Sequence, residues 1–398
     1  MGQLMDGFPP STDEQVTLAN WRTYPYMRWS FQHVRELVPS AEIANDPDEV
    51  EQLSFGQADF VGLRIDGGGA ELTLDEFLER SNTDGIVVLH RGAIVLERYM
   101  NGMAPRTPHA LMSVSKSVLG LVAGILAAKG VLQLDQPICA VLPELTDTAY
   151  EGATVRHALD MRVGVAFDED YLATSGPMIA YRKATNWNPL GPGEVPSDLR
   201  SFFSELRQRD GEHGGRIHYI SPNTDLLGWV IERSAGRRYA DLVSELLWRP
   251  MGAMESAYIT VDRLGAPRAA GGLCATVRDL ALLGQVLANG GSRGPRRIIP
   301  AGWIEDILHD GVATAWDEGT LAAYFPGLPM HYRAQWYVER RAAPVMFGFG
   351  VFGQYLCVAP EQDVVIAKVS SQPAPLDAAQ ILMMTRAAAA IRQSIAPR

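Results

Sequence analysis

Two runs of strand-favouring residues lie in the first quarter of the chain, with a short link between them. Residues 86–89 (IVVL) and 93–99 (AIVLERY) are rich in β-branched and other apolar side chains, and His90, Arg91 and Gly92 separate them. Apolar runs on both sides of a short, glycine-containing link are typical of a β-hairpin. We therefore predict an antiparallel pair of strands here.

A long apolar segment follows this hairpin and has the character of a helix. Residues 114–128 carry one charge, at Lys116, and Gly130 stands where a left-handed helix cap is expected. Farther along, Thr276 precedes a helical pattern and has Asp279 at capping-box distance. Further helices are predicted at 154–161, 223–233, 240–247, 303–308 and 377–393.

Strands return near the C-terminus. Residues 345–358 and 363–369 are β-rich, and the Pro-Glu-Gln segment between them predicts a second hairpin, whereas residues 311–345 are predicted to be irregular. Strands at both ends of the chain with helices between them indicate an α+β fold, in which an antiparallel β-sheet is flanked by helices and carries an inserted, mostly helical region.

The same pattern predicts three regions. An aromatic-rich N-terminal extension packs on the core, a sheet domain is built from two separate parts of the chain, and a mostly helical domain is inserted between those parts. The predicted bounds are 1–80 for the extension, 81–130 and 270–398 for the sheet domain, and 131–269 for the helical domain.

Composition narrows the classes of partner. The 398 residues carry a net charge of −11, which disfavours binding to nucleic acid or to anionic lipid. The longest apolar run, residues 118–128, is too short to span a bilayer, and the acidic N-terminus does not resemble a secretory signal. Three scattered cysteines, Cys139, Cys274 and Cys357, form no zinc or disulfide pattern. We expect a cytoplasmic protein with no metal, cofactor, nucleic-acid or membrane partner.

Candidate chemistry begins where the long helix begins. Ser113 and Lys116 lie three positions apart, so that both side chains project from one face of the first turn. A buried, neutral lysine can activate a serine hydroxyl as a nucleophile. The alternative is that Ser113 only caps the helix and Lys116 is solvated. That alternative is less favoured, because a cation is unfavourable at a helix N-terminus.

Two further segments fit this chemistry. Tyr219 lies two residues before Ser221 and ahead of another helix, and a tyrosine can act as a base where a cation such as Lys116 stabilises its phenolate. The alternative is a packed tyrosine with Ser221 as a helix cap. Gly348 and Gly350 weaken a predicted strand, which suggests a close approach to its backbone, as an oxyanion hole would require.

In this order and at these separations, the three segments resemble the serine β-lactamase and penicillin-binding superfamily. The pattern S-x-x-K, then Y-x-S, then a glycine-bearing strand in the place of K-T-G is similar to the class C and esterase branch, and most similar to the nylon-oligomer (aminohexanoate-dimer) hydrolases. The resemblance covers most of the chain, with matching residues at 28–29, 38–40, 111–117, 160–161, 168–171, 219–225, 271–280 and 350–354.

The resemblance implies a role for each matching residue. Ser113 would be the acylated nucleophile, Lys116 and Tyr219 the proton-transfer pair, and Ser221 a supporting hydrogen-bonding group. The backbone N–H groups of Ser113 and Val351, next to Gly350, would form the oxyanion hole. The substrate pocket would be lined by Tyr171, Trp187 and Tyr337, together with Arg182 and Ala270.

Departures from the pattern concern the substrate. The K-T-G position has the sequence Gly-Phe-Gly, without a cation for a penicillin carboxylate. Arg182 and Ala270 stand where the nylon-dimer enzymes have an aspartate and an asparagine. We therefore expect hydrolysis of another small ester or amide, and Arg182 suggests that an anionic substrate is favoured.

Other interpretations stay open. A transacylase would use the same residues, and a non-catalytic ligand sensor could share the fold. Oligomeric state is also open, a homodimer included.

The acidic residues 168–170 lack the ligand spacing of a calcium loop and are predicted to form a solvated turn. The literal G-x-S-x-G around Ser292 follows a helix and not a strand, so that a surface loop is expected there.

Overall fold

Short strands and helices alternate along the whole chain in the computed structural model, which describes residues 4–395. The strands are β1 (Ser40–Ile43), β2 (Ser54–Phe55), β3 (Ile65–Asp66), β4 (Glu71–Leu72), β5 (Thr83–His90), β6 (Ala93–Tyr99), β7 (His109–Ala110), β8 (Ala257–Thr260), β9 (Leu273–Ala275), β10 (Ser292–Arg293), β11 (Arg296–Arg297), β12 (Met330–Arg333), β13 (Trp336–Glu339), β14 (Val345–Gly350), β15 (Gln354–Ala359) and β16 (Val364–Ser370). The α-helices are α1 (Met27–Ser30), α2 (Leu74–Arg80), α3 (Val114–Ala128), α4 (Ile138–Val141), α5 (Val155–Leu159), α6 (Pro177–Ala184), α7 (Leu199–Glu205), α8 (Ser221–Ala235), α9 (Tyr239–Val243), α10 (Arg249–Met251), α11 (Val277–Ala288), α12 (Ala301–His309), α13 (Ala313–Asp317) and α14 (Ala378–Ile395).

An eight-stranded sheet forms the centre of the molecule. Its order is β12-β13-β14-β15-β16-β5-β6-β2, and its neighbouring strands are antiparallel except β2 and β6. The last strand, β16, pairs with β5 from the first quarter of the chain, so that Val364 faces His90. The predicted α+β fold is therefore confirmed, as is the hairpin of β5 and β6.

Helices cover both faces of this sheet. Val87 and Leu89 of β5 point into a core shared with α3 and α11, while Ile86 and Val88 point into a second core with α2 and α14. Successive side chains of a strand point to opposite faces, so that a strand apolar at every position must be buried on both sides. The continuous apolar run read from the sequence thus reflects a three-layer arrangement.

Several predicted helices are present with their predicted ends. Thr276 caps α11 by accepting a hydrogen bond from the Asp279 N–H, and Gly130 follows α3 with φ of 71°. The segment predicted as 223–233 is the longer α8, which Gly236 ends in the left-handed conformation. Residues 244–248 continue α9 as a π-helical turn.

The prediction that residues 311–345 are irregular was wrong, because β12 and β13 form a hairpin there. Its two turn residues, Ala334 and Gln335, both have positive φ, at 48° and 69°. Such a turn normally carries glycine or asparagine. Here the turn is held by distant groups instead, since the Asp160 carboxylate accepts from the Ala334 N–H and the Leu159 carbonyl accepts from the Gln335 N–H.

The β-rich run 345–358 is two antiparallel strands and not one. The chain reverses between β14 and β15 at Val351–Gly353, where Phe352 has φ of 64° and Gly353 has φ of 90°. The reversal has no polar turn residues, so that composition gave no sign of it. This reversal lies beside the segment that leads into α3.

Aromatic residues of the N-terminal part lie in a core of their own. Trp21 and Phe31 are buried, and the Trp21 ring meets the Trp187 ring edge-on with centroids 5.1 Å apart. The four-stranded sheet β1-β8-β9-β7 also joins this part to later segments. The division into three regions stays a prediction.

Within residues 4–395, no helix combines the length and apolar character needed to cross a membrane.

Close packing of α3 against the β12–β13 hairpin gives a first prediction. A Cβ added at Gly120 would lie 2.0 Å from the Ala334 carbonyl oxygen, so that Gly120→Ala must push α3 away from the hairpin. We expect a loss of about 1–3 kcal/mol in the free energy of unfolding, measured by chemical denaturation. Gly302→Ala in α12 is the matched control, because nothing lies within 4 Å of its added Cβ. Equal effects of the two changes would contradict the prediction.

Candidate active site

Ser113 stands at the point where the chain turns into α3. The preceding residue, Met112, has φ of 46°, in the left-handed region that non-glycine residues rarely adopt. Its carbonyl accepts hydrogen bonds from the backbone N–H of Ser115, at 3.0 Å, and from the Ser115 hydroxyl, at 2.6 Å. This tight turn presents Ser113 at the N-terminal end of α3.

Lys116 is buried beneath Ser113 and is surrounded by oxygen atoms. Its Nζ lies 2.9 Å from Ser113 Oγ, 3.0 Å from Ser221 Oγ and 2.8 Å from the Ala270 carbonyl oxygen. The side chain is 1% exposed. The amine therefore joins three segments that are far apart in sequence: the start of α3, the start of α8 and the segment before β9.

Burial sets the proton affinity of this amine. Burial is the largest effect, and the pKa of Lys116 is lowered to about 8. The nearby Arg268 also lowers this pKa, whereas the Glu169 and Asp225 carboxylates raise it. At pH 7 roughly one molecule in ten then carries a neutral Lys116, compared with fewer than one in a thousand for an unperturbed lysine. A neutral amine can accept the hydroxyl proton of Ser113.

Tyr219 lies against the same amine. Lys116 Nζ stands 4.8 Å from the centroid of the Tyr219 ring. Burial raises the pKa of the Tyr219 phenol, and Glu169 raises it further, while side-chain hydrogen bonds with Ser113 and Tyr337 act in the opposite direction. The phenol therefore keeps its proton near neutral pH. The geometry unites Ser113, Lys116, Tyr219 and Ser221, and the ordinary state of Tyr219 is that of a proton donor.

Glu169 belongs to this cluster, although the acidic stretch around it was predicted to be a solvated turn. Asp168 and Asp170 are exposed, whereas the Glu169 carboxylate accepts hydrogen bonds from the backbone N–H and hydroxyl of Ser221. It also accepts from the Tyr171 hydroxyl at 2.8 Å. For Glu169 the prediction of a solvated turn was wrong. Its sequence neighbours are acidic and gave no sign that this one carboxylate turns inward.

The end of β14 lies next to Ser113. A Cβ added at Gly350 would lie 2.7 Å from the Leu111 carbonyl oxygen, and one at Gly348 would lie 3.2 Å from Ser117 Oγ. The close approach expected at these glycines is thus made by the segment around Ser113 itself. Val351, one residue beyond Gly350, lines the same cavities as Ser113.

Two cavities meet at Ser113. The aromatic pocket, of about 230 Å³, is named here for five of its lining residues, Tyr219, Tyr324, Tyr337, Phe349 and Tyr355, and it also has polar lining residues such as Gln354 and Gln380. The arginine chamber, of about 550 Å³, is lined by three arginines and two tryptophans: Arg22, Arg182, Arg268, Trp21 and Trp187. Of the residues predicted to bind substrate, Tyr337 lies in the aromatic pocket, Arg182, Trp187 and Ala270 lie in the chamber, and Tyr171 lines both.

A buried ion pair supports the floor of the chamber. Arg268 Nη1 lies 2.5 Å from Asp225 Oδ2, and the two side chains are 6% and 0% exposed. The other carboxylate oxygen of Asp225 accepts from the Ala270 N–H at 2.7 Å. Since the Ala270 carbonyl accepts from Lys116, this ion pair holds one of the three acceptors around the amine. Ala270 acts at the site through its backbone.

Comparison with known proteins shows the family to which the chain belongs. The beta-lactamase family model matches residues 71–390 of the chain. The chain belongs to the beta-lactamase family. Its sequence is 34% identical over 375 residues to the 6-aminohexanoate-dimer hydrolase of Paenarthrobacter ureafaciens, with 94% of this chain and 93% of that protein covered. The predicted resemblance is confirmed, and the protein is an enzyme of this serine hydrolase superfamily.

Two further relatives agree in fold or in part of the sequence. The solved structure of a Bacillus anthracis protein, provisionally named a 6-aminohexanoate-dimer hydrolase, superimposes with a TM-score of 0.88 at 27% identity, covering 98% of this chain and 100% of that one. Esterase EstB of Burkholderia gladioli is 25% identical over 197 residues, which are 46% of this chain and 49% of the esterase. This beta-lactamase family member is therefore similar to proteins named as 6-aminohexanoate-dimer hydrolases and, over about half of its length, to one named as an esterase.

Sequence reasoning missed three groups at the site of this family member: Glu169, Arg22 and the Arg268–Asp225 pair. A faint signal existed for Asp225, which lies on the helix that follows Tyr219. Arg22 had none, because it reaches the site through contacts with residues about 165 positions away: its Nη2 donates to the Trp187 carbonyl and to the Asn188 side chain.

The buried ion pair gives the second prediction. Arg268→Met leaves the Asp225 carboxylate without its cation in an apolar setting, and we expect a loss of about 3–5 kcal/mol in the free energy of unfolding. Arg296→Met is the matched control, because the Arg296–Glu49 pair is 54% and 57% exposed. That change is expected to cost less than about 1 kcal/mol. Chemical denaturation measures both, and a small effect of Arg268→Met would contradict the prediction.

Proposed function

We propose that the protein cleaves a small carboxylic ester or amide through an acyl-enzyme formed on Ser113. The observation that carries the proposal is the buried Lys116 amine, 2.9 Å from Ser113 Oγ, with its pKa lowered to about 8. A base of this strength, in hydrogen-bond contact with a serine at a helix N-terminus, meets the requirements for nucleophilic catalysis.

In the proposed reaction, neutral Lys116 takes the hydroxyl proton as Ser113 Oγ bonds to the carbonyl carbon. The negative charge that forms on the carbonyl oxygen is stabilised by the backbone N–H groups of Ser113 and Val351. Tyr219 donates its phenolic proton to the departing oxygen or nitrogen, and the Lys116 ammonium group returns a proton to Tyr219. Water then attacks the acyl carbon by the reverse proton transfers, releasing the acid and free Ser113.

The proposed class of substrate is supported by the named relatives and by the sequence of β14, which contains Gly348 and Gly350. One relative is named a 6-aminohexanoate-dimer hydrolase and another an esterase, which supports an amide or ester bond in the substrate of this protein. The segment Gly348–Gly350 offers no cationic side chain, so that the strand itself has no partner for the carboxylate of a penicillin. A small ester or amide is the better candidate.

The nucleophile gives the third prediction. Ser113→Ala should lower kcat/KM for a small chromogenic ester by more than about 1000-fold, because no acyl-enzyme can form. Ser292→Ala, at the serine of the literal G-x-S-x-G sequence, is the control and should keep full activity, since Ser292 lies in the β10–β11 hairpin away from the site. Mass spectrometry of the acid-quenched reaction should find the acyl group on the peptide that contains Ser113. Full activity of Ser113→Ala would refute the mechanism.

The pKa of Lys116 gives the fourth prediction. Because the neutral amine is the active form, kcat/KM should rise with pH through a limb near pH 8. Glu169 raises the pKa of Lys116, so that Glu169→Gln should move this limb to lower pH. Asp170→Asn, at the exposed neighbour, is the control and should leave the limb in place. A limb that stays fixed, or moves upward, in Glu169→Gln would show that Lys116 is not the titrating base.

A further inference from the structure

Two arginines of the chamber, the buried Arg182 and the half-buried Arg22, form no ion pair with an acidic side chain among the described residues. Arg182 is 7% exposed, and its guanidinium donates to the carbonyl oxygens of Tyr171, at 2.8 Å, and Ala173, at 3.5 Å. Arg22 donates to the Trp187 carbonyl at 3.3 Å and to the Asn188 side chain. Among the described residues, the ion pairs include Arg268 with Asp225 but neither Arg22 nor Arg182.

Both guanidinium groups keep an unused donor. The Nε atoms of Arg22 and Arg182 are buried and have no hydrogen-bond partner. Burying a cation without an anion is costly, and an unpaired buried donor adds to that cost. The charges also oppose one another: burial and the nearby Arg182 and Arg268 lower the pKa of Arg22 to about 9. Burial and Arg268 likewise lower the pKa of Arg182, against the opposing effects of Glu169, Tyr171 and Asp170.

The carboxylate that lines the chamber is already engaged in hydrogen bonds. Glu169 lines the chamber, but its oxygens accept from Ser221 and from the Tyr171 hydroxyl. Asp225 lies beneath the floor, bonded to Arg268, Tyr181 and the Ala270 N–H. The chamber thus presents two guanidinium groups that no ion pair among the described residues neutralises.

The position of Tyr219 decides which half of a substrate enters the chamber. A group that protonates the leaving atom must contact that atom, and Tyr219 lines the aromatic pocket and not the chamber. The leaving group therefore lies in the aromatic pocket. The acyl group, which stays on Ser113, extends into the arginine chamber.

We propose that the natural acyl group carries a terminal carboxylate held by Arg22 and Arg182, so that the substrate is a monoester or monoamide of a dicarboxylic acid. This inference rests on the proposed acyl-enzyme at Ser113. The opposite half of the substrate is an apolar alcohol or amine, to suit the rings of the aromatic pocket. Guanidinium groups suit this task because their fork of donors binds a carboxylate in two places.

Three p-nitrophenyl esters with the same carbon chain test the proposal. Their acyl groups end in a carboxylate (hydrogen adipate), in its uncharged methyl ester, or in an amine (6-aminohexanoate), and each rate is corrected for spontaneous hydrolysis. The wild-type kcat/KM should be at least about 10-fold higher for the carboxylate than for either of the others, mainly through KM, and raised salt should reduce the difference.

Arginine variants separate charge recognition from a purely structural role. Arg22→Met, which keeps an apolar stem, and Arg182→Gln should each reduce the preference for the carboxylate ester by about 10-fold or more. Arg22→Lys should keep only part of the preference, because it keeps the charge but loses the fork of donors. Arg98→Gln, at an exposed arginine of β6, is the control and should leave the preference unchanged. If Arg22→Met and Arg182→Gln slow all three esters equally, the arginines are structural and the proposal fails.

A binding measurement separates failure of this proposal from failure of the proposed function. Calorimetry should detect monomethyl adipate binding to full-length Ser113→Ala, and binding should weaken at least about 10-fold when Arg22→Met is added. If the protein cleaves uncharged esters at Ser113 but shows no preference for the carboxylate ester, the proposed role of the chamber is wrong while the proposed hydrolase function stands. A protein that cleaves no ester and is not labelled on Ser113 by a fluorophosphonate would overturn the proposed function, and with it the assignment of an acyl group to the chamber.

Discussion

The buried amine of Lys116 is the constraint on which the rest of the site depends. An ammonium group that is 1% exposed must be surrounded by acceptors, and here these are Ser113 Oγ, Ser221 Oγ and the Ala270 carbonyl. Each acceptor comes from a different segment, so that the amine is satisfied only when all three segments have docked. The burial that requires these partners also lowers the pKa of the amine to about 8. The contacts of the amine and the shift of its pKa therefore arise together when the chain folds.

Charges of both signs around this amine act on its pKa in opposite directions. Glu169 and Asp225 stabilise its protonated form, and Arg268 disfavours it. Burial and Arg268 lower its pKa while the two carboxylates raise it, so that the value of about 8 is a balance between these opposing effects. Arg268 also forms an ion pair with Asp225 at 2.5 Å, so that the cation that lowers the pKa of Lys116 is bound to one of the two carboxylates that raise it.

The sequence predicted what depends on local pattern. The β5–β6 hairpin, the cap formed by Thr276 and the S-x-x-K spacing all arise from residues within a few positions of one another. The β12–β13 hairpin was missed because its turn, at Ala334 and Gln335, depends on Asp160 and Leu159 for stability. Arg22 and the inward turn of Glu169 were missed for the same reason. Their function comes from partners that only the folded chain brings near.

The charge of the arginine chamber is opposite to that of the whole protein. A net charge of −11 would repel an anionic substrate at long range. At physiological salt, however, the Debye length is about 8 Å, so that a ligand at the mouth of the chamber responds mainly to the groups lining it. Arg182 is buried and Arg22 is half-buried, and a charge interaction is stronger in such surroundings than at the open surface. The local pair therefore outweighs the distant surplus of carboxylates, at the cost of a slower approach for an anion.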